Sequence, residues 1–107
     1  MIVRLWRGRT RAAEAAYYQG YLAGYSGYRN TPGYRGSFLL RRPLEGEVEF
    51  VLISFWESLE AIKAYAGPEP ERANLHDEDR AVLTHADLTV THYELGLSDL
   101  PAFLEAH

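Results

Sequence analysis

The sequence predicts an α+β domain in which four antiparallel strands carry helices on one face. Three observations lead there. Val48 to Trp56 is an apolar run in which Val48, Phe50, Leu52, Ser54 and Trp56 point one way, and Glu49, Val51, Ile53 and Phe55 the other. Both faces are mostly apolar, so this strand is expected to be covered on both sides. Tyr17, Tyr21, Tyr25 and Tyr28 follow one another at helical spacing, which sets a helix before the sheet's hairpin. Pro43-Leu44-Glu45-Gly46 then reads as the turn of that hairpin.

Taken in order, Ile2 to Gly8 alternates weakly and reads as the first strand, with Val3, Leu5 and Arg7 on one face and Ile2, Arg4 and Trp6 on the other. Thr10 suits the N-cap of a helix starting at Arg11, and Ala12, Ala13, Ala15 and Ala16 favour helix. That helix is expected to carry the tyrosines, with Gly20, Gly24 and Gly27 weakening it toward its end. Asn30-Thr31-Pro32-Gly33 is a turn signal. Tyr34 to Arg42 reads as the second strand, with Tyr34, Gly36, Phe38 and Leu40 on one face, and the run to Trp56 as the third. Ser58 is the expected N-cap of an amphipathic helix with Leu59, Ile62, Tyr65 and Ala66 on its apolar side. Gly67-Pro68 stops it. Asp77 is expected to cap a short helix from Glu78 to about Thr84, and Leu88 to Leu95 to form the fourth strand. The order is that of a ferredoxin-like split βαβ fold. Two helices cover one face of the sheet, and the apolar second face calls for a partner, which a two-fold homodimer through the sheet face would supply. The domain is expected to span residues 1–97, with residues 98–107 a tail whose Leu100, Phe103 and Leu104 pack on the partner.

Composition excludes several functions. The 107 residues contain no cysteine, so disulfides, thiolate metal sites and a cysteine nucleophile are ruled out, and a reducing cytoplasm is the expected compartment. A net charge of -4 argues against nucleic acid as a partner. Arg35-Gly36-Ser37-Phe38 is a faint match to an RNA-recognition motif, but on the second strand instead of the third. No apolar segment is long enough to span a membrane. His76, His85 and His92 lack paired metal-ligand spacing, so no metal site is expected.

Trp56-Glu57-Ser58, followed by Glu60-Ala61, Gly67, Pro70, Ala73 and Leu75, resembles the antibiotic biosynthesis monooxygenase family, whose members are dimeric α+β barrels. The resemblance implies a substrate pocket lined at Trp56 and, in some members, oxidation of an aromatic polyketide by dioxygen with no cofactor. Quinone-forming members carry an Asn, a Tyr and an Arg around this Trp. Leu52, Ile62 and His76 stand at those positions here. A haem-degrading branch uses an Asn in the first strand, a helical Trp and an axial His. Here the first strand has no Asn, Tyr65 falls at the Trp, and Leu75 at the axial position with His76 beside it.

Oxidation of a phenol without a cofactor requires a base to make the electron-rich anion, and a dry aromatic pocket. His76 and His92 are therefore the candidate catalytic bases, and the resemblance adds Trp56 as the third candidate catalytic residue. Tyr17, Tyr21, Tyr65, Leu52 and Ile62 are the candidate substrate-binding residues for a small aromatic ligand. The alternatives are a non-catalytic ligand-binding or structural dimer of the same fold, and, third, a haem-degrading enzyme.

Overall fold

The structure, a computed structural model, describes residues 1–100. Phe103 and Leu104 of the expected tail lie outside the described residues. The fold is α+β and ferredoxin-like, an antiparallel sheet with helices on one face. Strand β1 spans Ile2–Arg11 and β3 spans Glu47–Trp56, and they pair along their whole length from Ile2–Trp56 to Arg11–Glu47. Strand β2, Tyr34–Leu44, forms the hairpin with β3. Helices α1 (Ala15–Gly24), α2 (Leu59–Ala66) and α3 (Asp77–Val82) complete the layer above. Among the described residues no helix is long and apolar enough to cross a membrane.

The fourth strand differs from expectation. In place of one strand over Leu88–Leu95 there are two, β4 (Leu83–Ala86) and β5 (Thr91–Glu94), so the sheet has five strands. β4 pairs with β1 around Gly8–Thr10, and β5 pairs with Ile2–Leu5. The backbone between them leaves β1 for the loop after α2. Leu88 O accepts from Ala73 N at 2.9 Å, and Val90 N donates to Glu71 O at 2.7 Å. That detour turns Val90 into the core and leaves Leu88 in water.

Three element ends also move. Thr10 caps no helix: it pairs with Val48 inside β1 and is fully buried, while Ala12 N bonds to Gly46 O at 3.1 Å. Cross-strand pairing therefore extends β1 to Arg11, and a 3-10 turn over Ala12–Glu14 leads into α1. α1 ends at Gly24, so Tyr25 and Tyr28 lie beyond it. The glycines at 24 and 27 make further helix costly at about 1 kcal/mol each. The cap of α3 is His76, not Asp77, because the Asp79 carboxylate turns back to accept from His76 N at 2.9 Å. Ser58 does cap α2, accepting from Ala61 N at 3.2 Å.

Register decides what faces what. Arg4, Trp6, Gly8 and Thr10 of β1 lie beside Ser54, Leu52, Phe50 and Val48 of β3 under the helices. Their core holds Trp6, Ala15, Tyr18, Leu22, Val48, Phe50 and Val90; a second cluster holds Tyr28, Trp56 and Ile62. A bulge between Tyr34 and Gly36 reverses the facing of Tyr34, which joins Trp56 under the helices and not Phe38 and Leu40 beyond. The opposite face carries Val3, Leu5, Val51, Ile53 and Phe55, with Leu40 and Tyr93 half exposed.

Candidate functional site

A cleft of about 70 Å³ opens between the helices and the inner face of the sheet. β1 supplies Arg4 and Trp6, and β3 supplies Leu52. α1 and the turn after it supply Tyr18, Tyr21, Leu22, Tyr25 and Tyr28. Tyr65 comes from α2, and Asn74, Leu75, His76 and Asp79 come from the loop and helix opposite, with Val90 behind. The walls are aromatic and aliphatic, with the side chains of Arg4, His76 and Asp79 among them.

Each of those three is held from behind. The Asp79 carboxylate is 5% exposed and accepts from the Tyr18 hydroxyl at 2.7 Å, the Tyr21 hydroxyl at 3.5 Å and His76 N. Burial pushes the Tyr18 and Tyr21 hydroxyls up from their ordinary pKa, and the neighbouring carboxylate adds to this, so both remain donors. The His76 ring stands at the exposed rim. Its Nε2 lies 3.0 Å from the Tyr25 hydroxyl, with the two rings 5.1 Å apart. Arg4 is 6% exposed. Its Nη1 donates to Pro70 O at 2.5 Å and faces His92 Nε2 at 3.1 Å, and its Nη2 donates to Arg72 O at 3.1 Å.

The cleft thus brings together His76, Tyr21, Tyr65 and Leu52 of the residues expected from sequence. It does not bring in the other four. Tyr17 is 55% exposed on the outer side of α1, where its hydroxyl donates to Glu78. Trp56 is fully buried behind Tyr65, stacked on it at 5.7 Å with 22° between the planes, and its Nε1 donates to Ser54 Oγ at 2.9 Å. Ile62 is sealed in the same cluster. The residue that touches the cleft is Tyr65, and burial pushes its hydroxyl up in pKa as well. His92 stands outside the lining. With a guanidinium donor on Nε2, that nitrogen is the acceptor and Nδ1 carries the proton; burial first, then the Arg4 charge, hold its pKa below the ordinary value. Its lone pair is already used, so it is no base toward the cleft.

Arg4, Trp6, Tyr18 and Asp79 were missed. Arg4 had a signal: it alternates with Ile2 and Trp6 on the apolar side of β1, and a charge in that register is buried. Asp79 had a weaker one, since acids in a first helical turn ordinarily face solvent.

The family model of the antibiotic biosynthesis monooxygenases matches residues 1–70. The chain belongs to that family. As an antibiotic biosynthesis monooxygenase family member it has several solved structural neighbours. MhuD, the haem degrader of Mycobacterium tuberculosis with two haems in its active site, is 26% identical, with a TM-score of 0.56 over 92% of this chain and 98% of that one. A variant of MhuD, with two manganese protoporphyrin IX molecules per active site, is 27% identical, with a TM-score of 0.65 over 92% and 97%. A candidate antibiotic biosynthesis monooxygenase from Bacillus cereus is 17% identical, with a TM-score of 0.64 over 92% and 95%, which is likeness of fold. No curated protein matches the chain.

Proposed function

We propose that this protein is a cofactor-independent monooxygenase that oxidises a small aromatic, polyketide-like phenol with dioxygen. The observation that carries the reading is an imidazole at the rim of a cleft with aromatic and aliphatic walls. His76 has Nε2 at the rim, and the Tyr25 hydroxyl 3.0 Å from it can pass a proton between that nitrogen and solvent. In an anthrone-type substrate, His76 takes a proton from the activated ring carbon. The resulting anion gives up an electron to dioxygen, and the two radicals combine at that carbon. Loss of water then leaves a carbonyl: CH2 and O2 become C=O and H2O, with no external reductant. The imidazolium that forms at His76 when it takes the proton offsets the charge of the anion beside it. Trp56 acts through Tyr65, fixing the ring that touches substrate, and is a positioning residue. The domain of residues 1–97 works as a homodimer paired through the outer sheet face, with Leu100, Phe103 and Leu104 of the tail on the partner. A cysteine-free chain suits the cytoplasm, where we place it.

Oxygen uptake with anthrone and a panel of phenols, with and without chelator, tests the reaction. Uptake indifferent to chelator is expected, and His76→Ala is expected to lower kcat by about 10²–10⁴-fold, the usual contribution of a general base. Uptake unchanged in His76→Ala overturns the assignment. No uptake across the panel, with aromatic ligands still bound, returns the fold to a binding role.

The likeness to MhuD favours haem degradation as the second reading. The donor set fits it poorly. Leu75, which has no donor atom, stands where the resemblance would put the iron's histidine, and the neighbouring imidazole of His76 is turned to Tyr25. A haem titration decides: an unshifted Soret band removes this reading.

A further inference from the structure

Arg4 is a cation nine-tenths buried in the wall of a cleft, and among the described residues no carboxylate lies within 4 Å of it. Glu71 acts on it only from a distance. A guanidinium has five N–H donors. Two backbone carbonyls and the His92 ring nitrogen occupy three of them. The remaining two have no protein partner among the described residues. All three occupied contacts are to neutral acceptors, so the charge itself is not offset, and burying a charge is favourable only when something of opposite sign meets it. The fork geometry of a guanidinium matches a carboxylate.

On the reading of this cleft as the substrate site, we propose that it selects a monoanionic ligand, an aromatic carboxylic acid whose carboxylate sits against Arg4. The aromatic body then lies along Trp6, Leu52 and Val90, which are apolar and line the same cleft. The limit to one negative charge follows from Asp79. Its carboxylate already lines the cleft and is held there by three donors, so a second anionic group on the ligand meets a like charge in a low-dielectric site. A dicarboxylate, or a haem with its two propionates, is selected against on that ground.

Equilibrium binding to the intact protein tests this without turnover. The probes are 2-naphthoate, 2-naphthamide and 2,6-naphthalenedicarboxylate, followed by calorimetry. The monoacid is expected to bind about tenfold or more tighter than the amide, and tighter than the diacid. In Arg4→Gln the preference for monoacid over amide is expected to vanish. Equal affinities for acid and amide overturn the proposal, and so does a preference kept in a folded Arg4→Gln protein. If Arg4→Gln does not fold, for want of donors to Pro70 and Arg72, the comparison of probes on the native protein decides alone. An acid preference without any oxygen uptake upholds the proposal and removes the oxygenase reading. Uptake on neutral phenols with equal probe affinities does the reverse.

Discussion

Asp79 is buried with three donors turned on it, and removing one leaves a carboxylate oxygen short of a partner. Tyr18→Phe does this with almost no change of shape, and a hydrogen bond to a charged group contributes about 1.5–3 kcal/mol. Urea unfolding is expected to show a loss of that size. Tyr17→Phe also removes a hydroxyl that donates to a carboxylate, but at the surface, and is expected to change stability by less than about 0.5 kcal/mol. Adjacent tyrosines therefore separate cleanly in one experiment. The same contrast explains what the sequence concealed. Tyr17 and Tyr21 are one helical stripe, and Ala15, Tyr18 and Leu22 are another; it is the second that is buried. Tyrosine suits a core and a rim alike, so its spacing could not say which stripe turned inward. His92 gives a pH dependence. Its folded pKa lies below the ordinary 6.5, chiefly through burial, so the unfolded chain takes up a proton first as pH falls. The contribution is fully present above about 6.5 and is lost as pH drops below that toward the folded pKa. Stability measured from pH 7 to 5 is expected to fall less steeply in His92→Gln than in the parent.

At the scale of elements, β1 is shaped by Gly8. A Cβ there would run into the Trp6 indole at Cη2, and would lie 2.8 Å from its Cζ2 and 3.2 Å from Leu83. The indole thus lies along its own strand, its Nε1 donating to Asp87 O at 2.9 Å, and forms one wall of the cleft. Gly8→Ala is expected to displace that ring and cost about 1–3 kcal/mol, as overpacking does. A change in tryptophan fluorescence together with a lower urea midpoint checks it; an unchanged spectrum and midpoint would mean that the ring has room to move. The strands of the hairpin and α2 were legible because their signals are local: the alternation from Val48 to Trp56, the cap at Ser58, the stop at Gly67. What was not legible depended on pairing at a distance. Nothing within Leu88–Leu95 announces that Leu88 and Val90 bond to Ala73 and Glu71 instead of to β1. Likewise the extension of β1 through Thr10 and Arg11 is dictated by Val48 and Glu47 across the hairpin. The cleft followed the same rule: Leu52 and Tyr65 came from segments read correctly, whereas His76 and Asp79 belong to the start of α3, whose cap lies one residue earlier than expected.

At the scale of the whole molecule, the outer sheet face stands uncovered by the protein's own helices. Val3, Leu5, Val51, Ile53 and Phe55 share it across β1 and β3, and Leu40 and Tyr93 at its flanks are 50% and 55% exposed. The helices cannot serve both faces, because all three lie over the side that holds the cleft. A second copy brings an equal face with the same pattern, and a two-fold axis makes the patch complementary to itself. Leu40 and Tyr93 are the informative positions: each is exposed in the single chain, so a charge there leaves the protomer's own core intact. Sedimentation equilibrium is expected to give twice the 12.2 kDa chain mass for the parent. With Leu40→Glu and Tyr93→Glu together, two buried like charges per subunit oppose association, and the mass is expected to fall to that of one chain. Circular dichroism of the variant should keep the parent's strand and helix signature. A parent that sediments as a single chain at micromolar concentration would remove the dimer, and with it the assignment of the tail to a partner's surface.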